Sequence, residues 1–146
     1  MKITICGSTA FILEMEAVKK QLESLGHQVA TPPVEFVDGD GKKWHTLDYY
    51  KFEKTDPFED PSFLKNHTQR IIDHFKEVEW SEAVLVANFD KNGIAGYVGP
   101  NTLMEMGLAF YLKKKIFLLN PIPSVSWKEE ILGLRPVIIN GKPDQI

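Results

Sequence analysis

The spacing of apolar positions divides the chain into short strands alternating with helices. Residues 2–6 form a β-branched run stopped by Gly7-Ser8. Phe11, Met15, Val18, Leu22 and Leu25 then recur at intervals of four and three, which predicts a helix with one core-facing stripe. Ser8 or Thr9 is placed to cap its start, and Gly26 to end it. Residues 27–31 predict a second strand, halted by Pro32-Pro33. Strand, helix and strand in this order imply a right-handed crossover and a parallel sheet.

Residues 33–61 break the rhythm: prolines bound them, and they hold Phe36, Trp44, Tyr49, Tyr50, Phe52 and Phe58. A connection this long is usually functional or disordered, and its aromatics argue against disorder. It reads as a long inserted loop that covers an active site or makes a subunit contact, against the plainer reading of a decorative excursion. Asp38-Gly39-Asp40-Gly41 could suggest a calcium loop, but the rest of that ligand pattern is missing, so a turn is expected.

Leu64, Thr68, Ile71, Ile72, Phe75 and Val78 mark a second amphipathic helix ending near Trp80-Ser81. Residues 83–89 are continuously apolar, as buried parallel strands are. A flexible loop with three glycines, residues 90–99, leads to a helix over 99–112 that is apolar nearly all round and is therefore expected to pack on both sides. Further strands are predicted at 115–119 and 136–139, with a short helix at 127–132 between them. The sum is a doubly wound α/β fold, a five-stranded parallel sheet with helices on both faces, in one domain. Ligands gather at the carboxyl ends of the strands in such sheets, here the loops 7–10, 89–99 and 120–123.

Composition narrows the function. Hydrophobic residues at 43% and charged residues at 25% describe an ordinary globular protein. A net charge of −3 argues against a nucleic-acid polymer as partner. The one basic run, Lys113-Lys114-Lys115, sits where a helix ends and complements its dipole. The single cysteine, Cys6, fits a reducing, cytoplasmic setting. No stretch is long and apolar enough for a membrane span, and the first residues form no signal peptide. His27, His45, His67 and His74 are dispersed without a metal-ligand pattern, so neither metal nor cofactor is expected.

Glu105 is the only charged residue between Thr102 and Leu112. It reads either as a nucleophile or general base at the strand-end edge, or as the last member of a Thr-x-x-Glu capping box starting at Thr102. A helix amino terminus would keep the carboxylate ionised, as a nucleophile requires. Gly7, Ser8 and Thr9 could cradle a phosphate, although an ordinary capped turn has the same residues. Asp73 and His74 lie on the helix before the central strand, where either a solvated face or an acid–base role is open. Asp90 is a turn former or a catalytic carboxylate at the ligand edge.

Taken together, Ile5-Cys6-Gly7-Ser8, Ala83-Val84-Leu85-Val86 and Glu105-Met106-Gly107-Leu108-Ala109 before Lys115-Ile116-Phe117-Leu118-Leu119 resemble the nucleoside 2-deoxyribosyltransferase family, whose superfamily includes the deoxynucleoside 5′-monophosphate N-glycosidases. The resemblance covers about three quarters of the chain, with the segment 33–61 outside it. It implies a flavodoxin-like fold, a homodimer or larger homo-oligomer, a small nucleoside or nucleotide as substrate, and Glu105 attacking the anomeric carbon. It further implies Gly7, Ser8, Thr9, Gly99 and Asn101 on the substrate, with His74, Asp73 or Asp90 assisting the leaving base. Three departures stand out. His74, beside Asp73, occupies the place of the family's acid; Gly99 stands where the family has Asp or Ser; and Thr9-Ala10-Phe11 stands where the hydrolase branch has an arginine. The alternative is a non-catalytic nucleotide-binding module with Glu105 as a helix cap. A third reading is a glycosidase for a ribosylated cofactor or modified nucleotide, its pocket adapted by the 33–61 segment.

Overall fold

A computed structural model describes residues 1–146. Five parallel strands form the central sheet: β1 (Lys2–Cys6), β2 (Gln28–Ala30), β5 (Ala83–Val86), β6 (Lys115–Leu118) and β7 (Val137–Ile138). Their spatial order is β2-β1-β5-β6-β7. Counting only these five, the order is 2-1-3-4-5, which is that of flavodoxin-like sheets. The register aligns Ile3 with Ala83 and Cys6 with Val86, and Ala83 with Lys115 and Val86 with Leu118.

Alternation along each strand sorts the core into two layers. Ile3, Ile5, Ala83, Leu85 and Phe117 face helix α1 (Ile12–Ser24), whose Met15, Val18 and Leu22 complete that layer with Phe11. Cys6, Val84, Val86, Ile116 and Leu118 face the other way. They pack with Val78 of α3 (Pro61–Trp80), with Met106 and Ala109 of α4 (Pro100–Tyr111), and with Ile131 of α5 (Lys128–Gly133). The helices thus lie on both faces. Ser8 accepts from the Ala10 N–H to cap a 3₁₀ turn at Thr9–Phe11 before α1, and Gly26 follows α1 with φ +91°.

Three expectations change. Residues 33–61 are a built subdomain: a hairpin, β3 (Glu35–Val37) paired with β4 (Lys43–His45), and helix α2 (Thr46–Glu53). Asp38 closes the hairpin, accepting from the backbone N–H groups of Asp40 and Lys42 and from Trp44 Nε1 at 2.9 Å each. Tyr49 and Phe63 stack with ring centroids 5.3 Å apart, fastening the subdomain to α3. Second, α4 does not pack on both sides. Its buried stripe is Thr102, Met106 and Ala109, and Met104, Phe110 and Tyr111 are exposed on the outer side. A single sheet face lies under the helix, so one stripe suffices. Third, the loop after β5 is pinned. Asp90 Oδ1 accepts from Gly96 N, and buried Asn88 donates from Nδ2 to the carbonyls of Gly96, Asn120 and Pro121.

Candidate active site

The order of the sheet reverses at β1, between β2 and β5, and the carboxyl ends of β1 and β5 open into a cleft of ≈ 490 Å³. This is where the topology of open α/β sheets puts ligands. Cys6 ends β1 with its side chain on the α3–α4 side, because alternation places it opposite Ile5. His74 comes from α3 and Glu105 from α4. Donor atoms of all three lie within 4.8 Å of one another.

Glu105 is not a helix cap. Helix α4 starts at Pro100 behind an N-cap at Gly99 that makes no side-chain hydrogen bond, so Glu105 falls in the second turn. Thr102, the supposed cap, is itself helical and buried. Instead the Glu105 carboxylate turns toward α3, where Oε1 lies 3.5 Å from His74 Nε2. Its Oε2 is buried with no hydrogen-bond partner. The other ring nitrogen of His74, Nδ1, lies 2.8 Å from Glu77 Oε2, one helical turn further on.

The imidazole is therefore held between two carboxylates. Burial disfavours its charged form, but contacts with Cys6, Glu105 and Glu77 more than offset this and raise its pKa well above the ordinary imidazole range. These contacts favour the imidazolium form of His74, whose Nε2 faces the Glu105 carboxylate across 3.5 Å. Cys6 behaves oppositely. Burial, reinforced by the neighbouring Glu105 charge, pushes its thiol up to about 12. With no exposed surface, Cys6 is not a thiolate nucleophile for a substrate.

The other residues singled out from sequence divide by position. Gly7, Ser8, Thr9, Gly99, Asn101, Asp73, His74 and Glu105 all line the cleft. Asp73 sits on its rim, its carboxylate receiving Gln69 Nε2 at 2.9 Å and lying 3.7 Å from Lys76 Nζ, with 60% of its side chain exposed. Asp90 is not among the lining residues, because its carboxylate is turned into its own loop to hold Gly96. A Cβ on Gly99 would stand 3.3 Å from the hydroxyl oxygen of Tyr97. The tyrosine thus fills the volume where the resemblance led one to expect a polar side chain at 99.

Sequence reasoning missed several walls of the cleft. Lys91 Nζ donates to Ser8 Oγ at 2.9 Å and lies over the rings of Tyr50 and Tyr97, 4.8 and 5.1 Å from their centroids. It joins the β5 loop, the β1 turn and the α2 subdomain across the mouth. Arg70 stands over Phe36 and Tyr49, and its Nη1 lies 3.4 Å from Glu53 Oε1. Phe36, Asp38, Tyr50, Glu53 and Lys54 bring the 33–61 segment onto the cleft wall. The segment reads from sequence as an active-site cover or a subunit contact, and its aromatics mark it as structured without saying which of its residues face the cleft.

No family model matches the chain, and no curated protein matches it in sequence. Among solved structures, the chain is similar to the Clostridium botulinum CMP N-glycosidase BcmB at 15% identity, with a TM-score of 0.49 over 99% of this chain and 92% of that one.

Proposed function

We propose that the protein cleaves or transfers at the N-glycosidic bond of a 2′-deoxynucleoside or its 5′-monophosphate, with Glu105 as nucleophile and His74 as the acid. The observation that carries this reading is the Glu105 carboxylate. It lines the strand-end cleft, with Oε2 buried and unpartnered and Oε1 3.5 Å from His74 Nε2. The resemblance of Glu105-Met106-Gly107-Leu108-Ala109 to the deoxyribosyltransferase motif supports the same assignment.

The chemistry follows from the charges. Glu105 Oε2 forms a bond to the anomeric carbon as the bond from that carbon to the base nitrogen breaks. The bonding pair leaves with the base, which takes the proton from His74 Nε2. Before the attack, the adjacent carboxylate holds that proton on the imidazole. Once the carboxylate becomes an ester, its negative charge is gone and His74 becomes a stronger acid, just as the leaving base requires one. The acid is thus switched on by the step it serves. Splitting the reaction through a glycosyl-Glu105 ester replaces one difficult step by two easier ones. Water, or an acceptor base, then attacks the anomeric carbon and releases the carboxylate. Either resolution uses a neutral His74 as the base that removes the proton from the incoming nucleophile.

The non-catalytic alternative gave Glu105 the role of a helix cap, a position that Gly99 holds. The test is a panel of deoxynucleosides and their 5′-monophosphates, with and without an acceptor base, monitored for released base. Release without acceptor identifies a hydrolase, and exchange that requires acceptor identifies a transferase. Glu105→Ala should abolish both. Binding of nucleotides with no release by the wild type would overturn the reading.

A further inference from the structure

We propose that Cys6, His74 and Glu105 form a Zn²⁺ site that opens into the cleft, so that the metal ion and the nucleoside compete for Glu105. The occupancy argument stands on geometry alone, and the competition clause rests on the function proposed above. A thiol, an imidazole and a carboxylate converge from three separate elements, β1, α3 and α4, with donor atoms within 4.8 Å of one another. A tetrahedral zinc centre with bonds of about 2.0–2.3 Å spaces its ligand atoms about 3.3–3.8 Å apart. The 3.5 Å between His74 Nε2 and Glu105 Oε1 already lies in that range.

Two further features point to a ligand. His74 Nε2, 3.5 Å from Glu105 Oε1, and Glu105 Oε2 are both buried without a hydrogen-bond partner, a costly arrangement for two polar atoms. The second ring nitrogen of His74 is 2.8 Å from the Glu77 carboxylate. Carboxylate–histidine–metal relays have this form, in which the outer carboxylate fixes the ring and raises the basicity of the inner nitrogen. The donor set suits zinc better than magnesium or calcium, which take oxygen ligands. Three protein donors leave the fourth position toward the cleft, since His74 and Glu105 line it while Cys6 lies behind them.

On binding, Zn²⁺ takes the lone pairs of Sγ, Nε2 and a Glu105 oxygen. The thiol proton, and any proton on His74 Nε2, leave to solvent as the metal bonds form. The metal-loaded site then has neither a free nucleophile nor a protonated acid. This predicts an N-glycosidase that zinc inhibits and a chelator restores.

The site is tested with Co²⁺ and Zn²⁺ on the full-length protein after chelator treatment. One Co²⁺ per chain should bind, giving visible bands of tetrahedral intensity and a thiolate-to-cobalt charge-transfer band in the near ultraviolet. Cys6→Ser should lose the charge-transfer band and bind Zn²⁺ at least about 10-fold more weakly, and Glu77→Gln should lose about 10–100-fold. Absence of a cobalt spectrum in the wild type, or equal Zn²⁺ affinity in wild type and Cys6→Ser, overturns the proposal. Circular dichroism checks that each variant is folded. If Cys6→Ser does not fold, the charge-transfer band of the wild type decides alone. Because these readouts need no nucleoside, cobalt binding without base release would sink the glycosidase reading and leave the metal site standing.

Discussion

In the proposed reaction, Glu105 and His74 divide the work of the site by what each touches. Glu105 Oε2 is the free oxygen, and His74 Nε2 lies 3.5 Å from the other oxygen of the same carboxylate. Glu105→Gln removes the nucleophile and should lower base release at least about 10³-fold, measured as the single-turnover rate. His74→Gln removes the acid and should lower kcat by about 10²–10⁴-fold. That loss should shrink for an N7-methylated purine deoxynucleoside, whose base departs without needing a proton. An equal loss on both substrates would mean that His74 only holds Glu105 in place. Tyr49 allows a stability prediction. Its ring is buried beneath Arg70, but its hydroxyl has no hydrogen-bond partner. Tyr49→Phe should therefore stabilise the fold by about 1 kcal/mol, read as a rise in Tm of about 2–4 °C.

Among the elements, the sheet was legible from sequence because its code is local. Ile3 and Ile5 point one way and Thr4 and Cys6 the other, and a five-residue window contains that information. The hairpin β3–β4 was not legible. Its strands are three residues each, and what closes them is Asp38 reaching Trp44 together with a stack of rings from α2 and α3. The capping-box reading of Thr102 and Glu105 failed for a different reason, although the helix itself begins where its pattern placed it. Thr102 and Glu105 have the letters of a capping box, but Pro100 is well suited to the first helical position and starts the helix ahead of both. Glu105 itself was legible as a lone charge in an apolar helix. Its convergence with His74 and Cys6 was not, since it depends on how α3 and α4 rotate against the sheet. Asp38 carries the prediction at this scale. Its hydrogen bond from Trp44 is the largest cause holding its carboxyl below 3.8. The hairpin is therefore reinforced above the unfolded-state value and loses that support as pH falls through the lower folded-state value. Trp44 fluorescence should shift in that acid range, and Asp38→Ala should show the acid-form spectrum at neutral pH.

At the scale of the whole molecule, one amide ties together two strand ends beside the site. Asn88 joins the β5 end to the β6 end, donating to Gly96, Asn120 and Pro121 and accepting from the Asn120 N–H at 2.8 Å. Gly96 sits against this junction at φ +62°, where a Cβ would come within 2.6 Å of the Pro121 carbonyl oxygen. Asn88→Ala strands several buried polar groups and should cost about 2–4 kcal/mol, measurable by urea unfolding. The subdomain of residues 33–61 then closes the cleft from the far side, so the walls come from both the sheet and the excursion. The claim that unites these scales is that the cleft exists to present one carboxylate to a sugar. It is tested most directly by incubating the protein with a 2′-fluoro-2′-deoxynucleoside, whose fluorine slows release of the glycosyl ester, and reading the intact mass. The account predicts an added mass of one fluorodeoxyribosyl group, mapped to the peptide containing Glu105 and absent in Glu105→Gln. Base release from natural substrates with the adduct on another residue, or with no adduct at all, would contradict it.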